Sequence, residues 1–194
     1  MFDLQEFIVS CKQSVGAPDG ARRVLDLMRS VVGDAEGIKS VLPGESGRAI
    51  RDLSLFRSSE LFVLSATLYP HFKSPPHDHR MWAVIGIYEG QENNTFYRRS
   101  GKGLEEINRR EIHAGEAILL GPEVIHAIEN PFGSSTLGLH VYGGDIFAAR
   151  RSMWHPRTGE ELPYDVPQFF KWCTELTEAS RAVSKTLGGP DDER

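Results

Sequence analysis

Residues 75–90 read Pro75-Pro76-His77-Asp78-His79-Arg80-Met81-Trp82-Ala83-Val84-Ile85-Gly86-Ile87-Tyr88-Glu89-Gly90. The two prolines fix the approach of the chain. An apolar strand, predicted over Trp82–Tyr88, follows them and ends near Gly90. Residues i and i+2 of a strand project to one face, so His77 and His79 can aim both imidazoles at one point. Facing a barrel interior, such a pair makes two-thirds of a facial metal site; on a surface loop it is an accident of composition.

The surroundings carry the same texture. From about residue 48 short apolar or alternating runs are punctuated by Gly, Pro and Asn. Strands are predicted at Ile50–Arg57, Leu61–Tyr69, Trp82–Tyr88, Thr95–Arg99, Leu104–Asn108, Glu116–Leu120, Val124–Glu129 and Thr136–Tyr142. Short strands at this spacing point to an all-β sandwich or barrel. No helical stretch of ten or more residues separates them, which argues against βαβ units. Leu104–Asn108 holds too few apolar residues for a central strand and is read as an edge, a place for pairing in a homodimer.

Helices are predicted at both ends. Asp3 and Glu6 have capping-box spacing ahead of Leu4, Phe7, Ile8 and Cys11. Val24, Leu25, Met28 and Val31 form a second apolar stripe, and a short third helix is expected from Ala35 to Leu42. After an irregular stretch from residue 150, a last helix is predicted over about Pro167–Leu187, with Phe169, Phe170, Cys173, Leu176 and Ala179 on one side. The reading is one domain over 1–194, with a helical segment at 1–44, a barrel at 48–150, and a loop and helix at 151–194.

Composition narrows the classes. The chain has 194 residues, 40 % hydrophobic and 25 % charged, enough apolar content to exclude a disordered polymer. Its 22 Lys and Arg are outnumbered by 27 Asp and Glu, which argues against nucleic acid as a partner. No run is apolar enough for a membrane, and the acidic N-terminus MFDLQEFIVS is unlike a signal peptide, so a cytoplasmic protein is expected. Cys11 and Cys173 fit buried thiols; a disulfide between them is the less favoured alternative in a reducing compartment.

Seven histidines remain to be sorted. Gly115-Glu116-Ala117-Ile118-Leu119-Leu120-Gly121-Pro122 precedes Val124-Ile125-His126, and this turn, strand, turn and histidine would place His126 across the barrel from His77 and His79. Three imidazoles suit a first-row transition metal and leave open positions. His140 and Tyr142 share one strand face: either an imidazole and a phenol point into the metal cavity, or they are a satisfied core pair. His71 is expected in a loop at the barrel mouth, His113 in a solvated turn, and His155 packed in a loop.

His77-x-His79 running to Gly90, and Gly115 through Pro122 to His126, resemble the two motifs of the cupin superfamily, which implies a double-stranded β-helix. Cupins usually add a glutamate ligand after the second histidine. Here Arg80-Met81-Trp82-Ala83-Val84-Ile85 holds no acid, and Glu89 falls where a turn should begin. Among cupins an all-histidine site is characteristic of the thiol dioxygenases. The chain is similar to that family, which includes cysteine dioxygenase and bacterial 3-mercaptopropionate dioxygenases. His77-Asp78-His79-Arg80-Met81-Trp82 with Gly86 and Gly90 resembles its bacterial members, as does His126 before Glu129-Asn130-Pro131. Gly138-Leu139-His140-Val141-Tyr142-Gly143 matches the family's Ser-x-His-x-Tyr motif at His and Tyr. The resemblance covers roughly residues 45 to 145.

The resemblance implies an Fe(II) dioxygenase that oxidises a small thiol, cysteine or 3-mercaptopropionate-like, to a sulfinic acid with O2. Nickel or zinc could occupy the site as isolated. His77, His79 and His126 would be the metal ligands, and His140 and Tyr142 the catalytic pair. Arg51, with Arg57 as rival, would bind the substrate carboxylate. Two departures stand out. Gly138 replaces the motif's serine, and no Cys between His79 and Gly90 allows the animal enzymes' thioether cross-link. The alternatives are a three-histidine cupin dioxygenase acting on a diketone-like substrate, and a non-catalytic cupin that binds a small ligand. The chain is expected as monomer or homodimer.

Overall fold

The computed structural model describes residues 1–42, 53–101 and 103–186. The chain begins with α1 (Leu4–Val15), α2 (Gly20–Val31) and α3 (Ala35–Val41). Asp3 caps α1 by accepting the Glu6 N–H at 2.9 Å, the half of the capping box that the spacing requires. Asp34 caps α3 in the same way through Gly37. Eleven strands follow among the described residues: β1 (Leu53–Arg57), β2 (Phe62–Leu68), β3 (His77–Asp78), β4 (Ala83–Glu89), β5 (Gln91–Ser100), β6 (Gly103–His113), β7 (Ala117–Leu120), β8 (Ile125–Glu129), β9 (Thr136–Tyr142), β10 (Ser152–Trp154) and β11 (Glu161–Pro163). The chain then enters α4 (Val166–Thr186). No helix among the described residues is long and apolar enough to cross a membrane.

All strand pairs are antiparallel and form two sheets, ordered β1-β2-β9-β4-β7 and β11-β10-β3-β8-β5-β6. The first sheet is covered on both faces, which explains why β4 reads as an unbroken apolar run. Val84, Leu139 and Val141 face the helices and join Phe7, Cys11, Val24 and Met28 in one core. Ala83, Ile85 and Tyr142 face inward with Phe62 and Leu64. Gly86 lets α2 approach closely, because a Cβ there would stand 2.5 Å from Met28 Cγ.

The second sheet differs from the sequence-based expectation in several places, beginning with β3, which forms its own strand here rather than opening β4, and β5, which starts at Gln91 rather than Thr95. The stretch after residue 150, expected to be irregular, contributes β10 and β11, which extend the sheet beside β3. These strands are three residues long, too short for a period-2 pattern to register. The expected edge strand at Leu104–Asn108 is an edge, but β6 runs on to His113 and pairs with the whole of β5. Its exposed polar face hid that length. At the far side, Phe169, Trp172 and Cys173 of α4 pack on Leu68, Phe72 and Met153, so α4 lies over one end of the space between the sheets. Cys11 and Cys173 are both buried.

Candidate metal centre

β3 is only two residues long, yet it is held on both sides. His77 stands opposite His126 of β8 and opposite Met153 of β10, and Trp154 N–H donates to Pro76 O at 2.9 Å. Directly opposed residues in an antiparallel pair share a face, so the register itself brings His77 and His126 together. His79, two residues on, joins them. The three residues form a group positioned to hold a metal ion, with one ligand atom from each lying within 4.8 Å of the others. His79 Nε2 and His126 Nε2 are 3.4 Å apart. Two nitrogens each bonded to one ion at about 2.1 Å would stand about 3.0–3.4 Å apart, the spacing that His79 and His126 already have.

The outer partners fix the tautomers. A backbone carbonyl can only accept, so His77 Nδ1–H donates to Pro75 O at 3.1 Å. His126 Nδ1–H donates to Asn94 Oδ1 at 2.7 Å. Both arrangements leave the Nε2 lone pair facing the shared point, the role that outer partners of metal-binding histidines serve. The group is also held neutral. Burial, helped by the Arg151 guanidinium, pushes His77 down to about 3. Burial, followed by the neighbouring imidazoles, keeps His79 and His126 well below the ordinary value. Neutral imidazole is the form a metal binds.

Asp78 points away from the histidines. Its carboxylate is 1 % exposed, accepts Ser152 N–H at 2.7 Å, and pairs with Arg80 at 2.8 Å and Arg99 at 3.5 Å. Arg80 adopts a left-handed φ of 55°, unfavourable for a side chain of this size, and its ion pair to Asp78 holds the chain in that turn. The sequence-marked His140 and Tyr142 lie on the inner face of β9, with His140 Nδ1 3.1 Å from Tyr142 Oη. The Tyr142 ring stands edge-on to His79 at 5.1 Å. Burial lowers His140 to about 4. Glu92 and Asn94 complete this buried polar cluster: Asn94 Nδ2 donates to Glu92 Oε1 at 2.8 Å.

The histidines line a cavity of about 290 Å³ together with inner-face residues of the first sheet and Phe169 and Phe170 of α4. The Phe169 ring lies 5.0 Å from the His77 ring. One cation lines this cavity among the described residues, Arg151. It is 8 % exposed, its Nε donates to Ile146 O at 3.0 Å, and its guanidinium lies 3.4 Å from the Tyr164 ring centroid. Arg51, expected to bind a substrate carboxylate, lies outside the described residues. Its rival Arg57 is exposed, donates from Nε and Nη2 to Asp145 at 3.0 and 2.9 Å, and stacks over Phe147; it does not line the cavity.

Glu89 stays on the outside, paired with Lys39 at 2.8 Å, and among the described residues no carboxylate joins the histidine trio. His71 sits in a loop with φ 62°, His113 is exposed at the end of β6, and His155 packs against Trp172 at 5.1 Å. Sequence reasoning missed Glu92, Asn94, Arg151 and Phe169 as neighbours of the site. Glu92 and Asn94 share the inner face of β5 while Gln91, Asn93 and Thr95 do not, but all five are polar, so no alternation in the sequence marks the inner pair.

No protein-family model matches the chain. Among solved structures, it is similar to a cupin superfamily protein from Desulfitobacterium hafniense DCB-2, at 12 % identity over 56 % of this chain and 88 % of that one, with a TM-score of 0.44. A cupin 2 conserved barrel domain protein from Leptotrichia buccalis matches at 17 % identity, 54 % of this chain and 45 % of that one, TM-score 0.42. An RmlC-like cupin family protein from Methanocaldococcus jannaschii matches at 12 % identity, 54 % and 88 % coverage, TM-score 0.44. These three neighbours are described as cupins, the last of them with a double-stranded β-helix fold.

Proposed function

We propose that His77, His79 and His126 hold Fe(II) and that the chain oxidises a small thiol bearing a carboxylate to a sulfinic acid with O2. The observation that carries this reading is the pairing, in one cavity, of an all-imidazole donor set with the buried guanidinium of Arg151. Bound ferrous iron would supply the redox chemistry that joins oxygen to a thiolate sulfur. The motif resemblance at His140 and Tyr142 favours a thiol over other substrates.

The chain's own residues do the rest. Arg151 is already oriented by the Ile146 carbonyl and the Tyr164 ring, and its planar fork matches a carboxylate in two parallel hydrogen bonds. Arg51 is the competing candidate from sequence, and the pair Arg51→Met and Arg151→Met decides between them. Tyr142 can donate a hydrogen bond to the reacting sulfur or oxygen, with His140 behind it. Phe62, Leu64, Ile85 and Phe169 line the cavity with apolar surface, a low-polarity surrounding that strengthens each of these polar contacts.

The test is oxygen consumption by iron-loaded protein with thiols that carry or lack a carboxylate, and with a β-diketone, with sulfinate detected by mass spectrometry. Turnover of a carboxylate-bearing thiol is expected. Full iron occupancy without turnover of any thiol overturns the proposal, and turnover of the diketone alone assigns the site to carbon–carbon cleavage.

A further inference from the structure

We propose that Glu92 is a positioning residue that sets the direction of the Tyr142 hydroxyl proton, acting through His140. Only the chain's own residues take part, so the effect is the same whatever the substrate. Glu92 is fully buried, and its Oε2 has no hydrogen-bond partner. That atom lies 3.9 Å from His140 Nε2, while the other nitrogen of the same ring, Nδ1, is 3.1 Å from Tyr142 Oη. A side-chain movement of about 1 Å closes the first gap to a hydrogen bond. A buried carboxyl oxygen left without a partner is destabilising, so this closure is favourable.

Nothing on β9 competes for His140 Nε2. A Cβ at Gly138 would stand 3.3 Å from that nitrogen and 3.1 Å from Gly86 O. Glycine at this position offers His140 no donor or acceptor side chain, and the side chain nearest that space is the apolar Ile87, through Cδ1. Glu92 is the group that reaches the same nitrogen from β5.

Two arrangements follow from donor and acceptor bookkeeping. With Glu92 ionised, Oε2 accepts from His140 Nε2–H, and the Nδ1 lone pair accepts the Tyr142 hydroxyl proton. With Glu92 protonated, its O–H donates to the Nε2 lone pair, Nδ1–H donates to Tyr142 Oη, and the hydroxyl proton is turned to another acceptor. The first state becomes the second by gaining one proton at Glu92 while the imidazole proton passes from Nε2 to Nδ1. Tyr142 keeps its own proton throughout.

The polar groups facing Glu92 are Asn94 from its own strand and His140 from β9. Ile112 stands opposite it on β6, and no charged side chain among the described residues pairs with it. Burial raises its carboxyl to about 7, against the opposing Asn94 hydrogen bond. His140, lowered to about 4 by burial, stays neutral over the same range. The exchange is therefore one of tautomer rather than charge on the ring.

The test is ring 15N NMR of the full chain labelled at histidine, metal-free and zinc-loaded, from about pH 6 to about pH 8, with His140 assigned through His140→Gln. In the wild type, His140 is expected as the Nε2–H tautomer at the upper end and the Nδ1–H tautomer at the lower, with a midpoint about pH 7. In Glu92→Gln, the amide donates to Nε2, and the Nδ1–H tautomer is expected throughout. One unchanging tautomer in the wild type, or a reversal that persists in Glu92→Gln, overturns the proposal. The wild-type series decides the matter even if the variant does not fold. The metal-free arm decides it even if the thiol reading fails.

Discussion

Replacing Glu92 by glutamine should make the protein more stable, and increasingly so as pH rises. The carboxyl is fully buried with one oxygen unpartnered, and burial raises it from 4.5 to about 7. A tenfold change in proton affinity corresponds to about 1.4 kcal/mol, so ionised Glu92 weakens the fold by about 3 kcal/mol above about pH 8. The sign follows from proton binding. Between about 4.5 and about 7 the folded chain holds a proton that the unfolded chain has released, so stability is complete below the window and declines as pH rises through it. Glutamine keeps an acceptor for Asn94 Nδ2 and does not ionise. Urea unfolding of the metal-free wild type and Glu92→Gln, from about pH 5 to about pH 8.5, should show the variant gaining about 2–3 kcal/mol on the wild type. A difference constant to within about 0.5 kcal/mol over that range refutes the reasoning, because it would mean that the carboxyl never ionises at a cost.

Arg151→Met should lower kcat/KM for carboxylate-bearing thiols about 30- to 150-fold, or about 2–3 kcal/mol, with little effect on thiols lacking a carboxylate; steady-state oxygen uptake measures both. Asn94→Ala removes the partner of His126 Nδ1 and should weaken metal affinity about 10- to 100-fold in competition with a chelator. Phe169→Ala opens the cavity beside His77 and should cost about 3 kcal/mol, a fall in Tm of about 6–12 °C by calorimetry. Gly86→Ala drives a methyl group into Met28 and Val32 and should cost about 1–3 kcal/mol in denaturant unfolding without touching metal content.

Much of the architecture was legible from residue spacing. The helical stripes around Phe7 and Met28, the mid-chain strands and the convergence of His77 with His79 follow from periods of 3.6 and 2. Arg151 was illegible because its position depends on β10 pairing with β3, a contact between segments some 75 residues apart. Glu92 and Asn94 were hidden for another reason. Hydropathy patterns assign polar residues to the outside, and in Gln91-Glu92-Asn93-Asn94-Thr95 every residue is polar. Which two of them face inward is decided by the register of β5 against β8. Arg57 was a plausible cavity residue by position, but Asp145, 88 residues away, claims its guanidinium.

The two-residue strand carrying His77 has a consequence for how the protein is made. Its partners, His126 on one side and Met153 on the other, lie 49 and 76 residues downstream. When His77 and His79 leave the ribosome, neither flank exists, and the pair is an unconstrained peptide with at most two donors for an ion. The third ligand arrives with β8, and the strand is locked only when β10 closes against it. Long-range pairings of this kind form late. The geometry that could hold an ion is therefore a property of the finished chain, and an ion held there would be acquired after synthesis rather than during it.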